Sequence, residues 1–233
     1  MSEHEKPTLY IIAGPNGSGK SSMYEILTKT DPVFAKAQFV NPDVYGEKLA
    51  NKEGAKTVNE LSPERRAAVD MKAGKIAVTV RNTLLENGKS FAVETTASSK
   101  GVLRLMDTAK EYGYNIDLKY VTLKSSALNI QRVSDRVQQG GHSVDDDVIV
   151  RRYDKAEKLL PSVLAKADHA ELYDNSKVSL LVLSKDQNKI KVAPTAELAG
   201  WSKERVSALV NAMKKEAPDL KLDRGRSVAY PRT

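Results

Sequence analysis

The stretch IIAGPNGSGKSS, residues 11–22, decides the fold. A short apolar, β-rich run over residues 8–13 stops at Gly14. Three glycines follow within six residues, and then Lys20, Ser21 and Ser22. Gly14-Pro15-Asn16-Gly17-Ser18-Gly19-Lys20-Ser21 fits G-x-x-x-x-G-K-[ST] at every position. It lies between a predicted strand and a predicted helix over about residues 19–28, the context in which the pattern has a mechanism. Glycines let the backbone fold back so that several N–H groups converge on one anion, and the next helix adds its positive end. Residues 14–22 are therefore the candidate ATP-binding residues. In that cradle Lys20 bridges the β- and γ-phosphates, and the Ser21 hydroxyl is the candidate ligand for Mg²⁺.

Outward from this loop, strand and helix signals alternate. Strands are predicted over residues 37–43, 89–96, 116–123 and 178–184, and 188–193 has the pattern of an antiparallel edge hairpin with the last of these. Helical periodicity covers 62–88, 100–112, 126–138, 145–166 and 201–216. Alternation of this kind predicts an α/β P-loop NTPase. The expected sheet is mostly parallel, of about five strands, covered by helices on both faces, with a helical lid and a C-terminal helix. The only candidate boundary lies near Pro194.

Composition agrees. Of 233 residues, 40% are apolar and 29% charged, which suits a globular core. No run of about 18 apolar residues suggests a membrane span, and the first seven residues lack an apolar signal core. There is no cysteine, so disulfides, thiolate metal sites and cysteine nucleophiles are excluded. A reducing cytoplasm is the expected compartment. The net charge of +7 gathers towards the end, with eight Lys/Arg against four Asp/Glu from Ser202 onward. A nucleic-acid surface gives such a pattern, and so does a solvated helix with a loose tail. Tyr230 is the only aromatic residue among those basic ones.

A phosphate loop alone does not separate a switch, a motor and a kinase. There is no Asn-Lys-x-Asp motif to read a guanine base, and no apolar strand leading into an acidic pair. A small-molecule kinase needs an acid beside the acceptor hydroxyl and arginines on the transferring phosphoryl. Two acids follow predicted strands: Asp43, in Asn41-Pro42-Asp43, and Glu94, in Glu94-Thr95-Thr96. Asp43 reads equally as a base or as a helix cap. Arg132 and Arg136 lie one helical turn apart, Gly140-Gly141 and His142 follow, and Arg151 and Arg152 open the next helix. Arginines flanking a glycine pair suit a lid that closes over ATP.

GPNGSGKS, NPD, ETT, RV..RV..GGH.V....I..RY and YDNS occur here in the order found in the zeta-toxin family of P-loop kinases, which the chain resembles over roughly residues 8–185. The expected division is a kinase domain over residues 1–193, with a lid at about 132–160, and a C-terminal helix and basic flexible tail over 194–233. The resemblance implies Asp43 as the aspartate that activates the acceptor hydroxyl, and Asn41, Glu94, Thr95 and Thr96 as its neighbours in the acceptor pocket. Arg136 and one of Arg151 and Arg152 would stabilise charge, Arg132 would bind ATP, and Asn175 would lie near the base. The implied reaction moves the ATP γ-phosphate to a nucleotide sugar such as UDP-N-acetylglucosamine. Nucleotide or nucleic-acid-end phosphorylation, and a non-catalytic ATP switch, are the alternatives. The family's founding toxins have antitoxin partners. One departure is Asp145, where relatives with this glycine pair usually carry proline. The chain is most similar to the short, stand-alone members.

Overall fold

The computed structural model describes residues 6–141 and 143–223. His142 and the tail residues 224–233, including Tyr230, lie outside the described residues. The strands are β1 (Thr8–Ala13), β2 (Gln38–Val40), β3 (Phe91–Thr95), β4 (Asn115–Thr122), β5 (His169–Asp174), β6 (Leu180–Asp186), β7 (Lys189–Val192) and β8 (Lys221–Leu222). They form one sheet in the order β2-β3-β1-β4-β5-β6-β7-β8. The first five strands in chain order run parallel. β6 returns antiparallel to β5, and β7 antiparallel to β6.

The sheet thus has eight strands, where about five were expected. β5 supplies much of the difference. His-Ala-Glu-Leu-Tyr-Asp alternates apolar and polar residues instead of forming a continuous apolar run, because only one of its faces is buried. Residues 178–184, expected as a fifth strand, form most of β6. The hairpin with β7 is antiparallel, as its pattern suggested. Two-residue β8 is too short to leave a sequence signal.

The helices are α1 (Lys20–Thr30), α2 (Pro42–Lys52), α3 (Pro63–Glu86), α4 (Gly101–Glu111), α5 (Ser126–Gln138), α6 (Asp146–Lys166) and α7 (Lys203–Glu216). Four begin at side-chain caps: Asn41, Ser62, Ser125 and Ser202 each accept a hydrogen bond from a backbone N–H in the first turn. Each such cap contributes about 1 kcal/mol. None of the described helices is long and apolar enough to cross a membrane.

Alternation along β1 divides the core. Leu9, Ile11 and Ala13 join the main cluster with residues of α3, α4, α6 and α7. Ile12 turns the other way, to Phe34 and Ala92 beneath α1. After β1 the chain passes to β2 and β3 on one side and only then to β4 on the other. The carboxyl end of β1 is therefore a topological switch point, where open α/β sheets bind ligands. Gly14 continues the ladder there, its N–H donating to the Thr95 carbonyl at 3.1 Å.

Tyr114 fastens the sheet on the side that carries β3. Its hydroxyl lies between the carbonyls of Leu84 (2.7 Å) and Lys89 (2.9 Å), joining the end of α3 to the start of β4. Tyr114→Phe removes this donor from both carbonyls, at a cost of about 0.5–1.5 kcal/mol. We expect a melting temperature lower by about 2–4 °C for each kcal/mol lost, read by calorimetry, with nucleotide affinity unchanged.

Candidate active site

At the switch point the loop from Gly14 to Gly19 wraps the start of α1. At Gly14, φ is +142°, and a Cβ would meet the Val121 carbonyl oxygen at 1.9 Å, so no side chain fits. At Gly19, φ is +104° and the space for a Cβ is taken by the Asn175 amide, at 2.4 Å. Backbone packed this tightly is what allows main-chain N–H groups to face an anion.

Lys20 is the first residue of α1 and is buried. Its Nζ donates to the Pro15 carbonyl at 3.0 Å and lies 3.8 Å from Glu94 Oε1. Burial pushes the Lys20 ammonium below the usual lysine range, an effect opposed by Glu94 and Asp43 and reinforced by Arg136 and Arg152. Burial likewise raises the Glu94 carboxyl, opposed chiefly by Lys20 and to a lesser degree by Ser21. Each charge is thus expensive on its own and depends on its neighbours.

A cavity of about 540 Å³ opens over this pair. Its floor is Asn16, Gly17, Gly19, Lys20, Ser21 and Ser22. One wall holds Asn41, Pro42 and Asp43 at the start of α2, with Glu94, Thr95 and Thr96 at the end of β3. The opposite wall holds Arg132 and Arg136 from α5, Val144, and Arg152 from α6. Asn41, rather than Asp43, caps α2: its Oδ1 accepts from the Asp43 N–H at 2.9 Å. The Asp43 carboxylate has no capping duty and stands on the cavity wall. The chain bends sharply beyond Thr95, with Ala97 at φ +51° and the Ala97 N–H donating to Thr95 Oγ1 at 3.1 Å. Positive φ at an alanine costs about 1–2 kcal/mol, and Ala97 itself is buried.

The cavity gathers most of the residues singled out from the sequence. Gly14, Pro15 and Ser18 shape the loop without lining the cavity. Arg151, one position before Arg152, is exposed and outside it. Arg152 Nη1 donates to Asn16 Oδ1 at 3.3 Å. Arg132 Nη2 donates to the Asn175 carbonyl at 2.6 Å, and Asn175 Nδ2 donates to the Ser18 carbonyl at 2.9 Å. Asn175 thus braces the loop backbone and is not among the cavity-lining residues.

Two residues escaped the sequence reading. Asp70 of α3 adds a third carboxylate to the cavity lining, with Asp43 and Glu94. Its signal was an acid three positions before Ala73, on the edge of the helix's apolar stripe. Asn129 of α5 is fully buried and its Nδ2 donates to the Asn16 carbonyl. Its spacing of three and seven residues from Arg132 and Arg136 put all three on one helical face.

The donor set fits a triphosphate and its metal. The loop carries one buried lysine, and Ser21 and the carboxylates offer hard oxygen atoms. Among the described residues no cluster of three or more His, Asp or Glu side chains could hold a metal alone. Mg²⁺ takes few protein ligands and completes its shell with phosphates and water. A larger cleft of about 840 Å³ lies between β7 and α7, and includes Val192, Trp201, Val210 and Leu220. It has no glycine loop and no buried cation.

Because the Glu94 pKa is raised, the folded protein retains a proton there that the unfolded chain has lost. Stability therefore falls as pH rises from the ordinary glutamate range through the raised value. At pH 7 the double variant Lys20→Met/Glu94→Gln should melt at or above the native protein, since neutral replacement of a buried ion pair is neutral or stabilising by about 1–4 kcal/mol. Lys20→Met alone strands the carboxylate and should melt below the double variant. That gap should close as pH falls and Glu94 takes up a proton, a trend that melting curves across pH would follow.

Residues 1–187 match a protein family described as Zeta toxin. A protein of Haemophilus influenzae is 27% identical over 140 residues, covering 60% of this chain and 88% of its own. Among solved structures, the AvrRxo1-ORF1:AvrRxo1-ORF2 complex with ATP superposes at a TM-score of 0.63 with 20% identity, covering 94% of this chain and 76% of that one. The PezAT toxin–antitoxin system of Streptococcus pneumoniae superposes at 0.56 with 16% identity, covering 93% and 89%. These likenesses show a shared fold. The family match spans the phosphate loop, both acceptor-side motifs and both arginine helices, and the chain belongs to the zeta-toxin family.

Proposed function

We propose that this protein is an ATP-dependent kinase that moves the γ-phosphoryl group to a hydroxyl of a small molecule. The observation that carries the reading is the charge gathered round one cavity. Lys20, Arg132, Arg136 and Arg152 line it, and so do the carboxylates of Asp43, Asp70 and Glu94, the last 3.8 Å from Lys20. Phosphates belong with the cations. An acceptor hydroxyl belongs beside a carboxylate that can take its proton.

In this reading the loop holds the β- and γ-phosphates, with Lys20 between them. Asp43 accepts the proton of the acceptor hydroxyl as its oxygen attacks the γ-phosphorus. The bond from that phosphorus to the bridging oxygen breaks, and ADP leaves with the electron pair. Arg136 and Arg152 stabilise the charge that builds on the equatorial and leaving oxygens, where fixed cations lower the barrier most. Glu94 holds Lys20 and Ser21 in place. Mg²⁺ bound by the Ser21 hydroxyl and by phosphate oxygens would neutralise charge on the triphosphate.

For the acceptor, family membership supports a nucleotide sugar such as UDP-N-acetylglucosamine. The neighbouring toxin–antitoxin structure supports a second chain that restrains the activity. Dependence on ATP supports a cytoplasmic setting.

The test is phosphotransfer from Mg-ATP to a panel of nucleotide sugars, nucleosides and short oligonucleotides, read by mass spectrometry. We expect an acceptor heavier by one phosphate. Asp43→Ala should lower kcat by about 10²–10⁴-fold while ATP affinity stays within about threefold; retained transfer would remove Asp43 from its role. ATP hydrolysis without any phosphorylated acceptor would favour a switch. The two neighbouring arginines should separate cleanly. Arg152→Gln should cost about 10³-fold in kcat, and Arg151→Gln should leave it near the native value.

A further inference from the structure

Of the region beyond the family match, residue 188 onward, the described part packs into the main core. Val206, Leu209, Val210 and Met213 of α7 belong to that cluster, as does Trp201 just before the helix. Trp201 is 2% exposed, and its indole N–H is used: Nε1 donates to Asp174 Oδ2 at 3.0 Å. Asp174 is equally buried, and its other oxygen accepts the Ser176 N–H at 2.9 Å. The carboxylate thereby shapes the turn at residues 174–176.

That turn holds the phosphate loop. The Asn175 N–H donates to the Thr122 carbonyl at the end of β4. Its side-chain amide donates to the Ser18 carbonyl at 2.9 Å and fills the space over Gly19. Its own carbonyl, with that of Ser176, accepts from Arg132 Nη2 at 2.6 and 3.3 Å. A second arm leaves from the Trp201 ring. The Arg205 guanidinium lies 3.7 Å from the ring centroid, and its Nη2 is 3.5 Å from Glu157 on α6, the helix that carries Arg152.

We propose that Trp201 is a positioning residue of the nucleotide site, acting through Asp174 and Asn175 on the loop backbone, so that the segment after the family-matched region completes the cradle. The inference rests on the proposed binding of ATP, and adds that the C-terminal segment sets its affinity. A buried carboxylate that aims one oxygen at an indole and the other at the turn has a fixed orientation. Without the indole donor, that oxygen loses its partner and the turn loses its anchor.

The test uses the full chain and Mg-ATP. Calorimetry gives the affinity of the native protein, Trp201→Phe, Asn175→Ala and the double variant. We expect Kd to weaken about tenfold in each single variant and little further in the double, because both remove the same support. A side chain that merely fills the core would lower the melting temperature, leave Kd unchanged below it, and combine additively with Asn175→Ala; that result overturns the inference. Should Trp201→Phe fail to fold, the native protein decides, since Trp201 is the chain's one tryptophan. A saturable change in its emission on adding Mg-ATP, lost in Asn175→Ala, supports the coupling, and unaltered emission at saturating ATP overturns it. A native protein that binds no ATP overturns the kinase reading and this inference with it, whereas unchanged affinity in Trp201→Phe overturns this inference alone.

Discussion

A buried ammonium organises this molecule. Lys20 sits at the start of α1 with two polar partners within reach, the Pro15 carbonyl and the Glu94 carboxylate. Taking such a charge out of water costs several kcal/mol, and a single ion pair seldom returns all of it. The remainder is a standing affinity for a multiply charged anion. The sheet order follows from holding the pair together. β3 must lie beside β1 to bring Glu94 to the lysine, and β4 must take the other side so that its carbonyls back Gly14. The crossover to β2 and β3 before the return to β4 opens the crevice above the lysine.

The loop is held by side chains as much as by its own backbone. Asn129 of α5 grips the Asn16 carbonyl, Arg152 of α6 reaches the Asn16 side chain, and Asn175 after β5 grips Ser18. The helices that present arginines to the cavity therefore also brace the loop at its floor. Loop and arginines share supports and stay in register, which is what electrostatic catalysis asks of a site. Burial is what chiefly depresses Lys20, and repulsion from Arg136 and Arg152 adds to it. A bound triphosphate offsets that repulsion.

The legible parts of the sequence were those in which one residue type has one physical use. Glycines before a lysine, with an apolar run behind, have few readings, so the loop, its helix and the parallel sheet could be read directly. Asp43 could not be resolved between base and cap, because Asn-Pro-Asp offers two capping side chains and only the fold shows that Asn41 takes the bond. Arg151 and Arg152 were equally ambiguous. Adjacent helical residues point about 100° apart, and the phase of α6 against the loop is a tertiary fact. β5 was hidden because half of its residues face away from the core. Asp70 and Asn129 were hidden because single polar residues on helices usually mean solvent.

The sequence reads residues 194–233 as a C-terminal helix and a basic flexible tail. Charge, however, describes the outer face of a helix and says little about the inner one. On α7 the lysines and glutamates lie outward, while Val206, Leu209, Val210 and Met213 close the core against α6. Trp201 makes the distinction sharper. An indole buried only for its area needs no particular neighbour, but this one donates to a carboxylate that itself sets the turn against the phosphate loop. The polar atom of a large apolar residue thus reaches the nucleotide site from outside the family's own span. Burial of α7 supplies the free energy that holds it there.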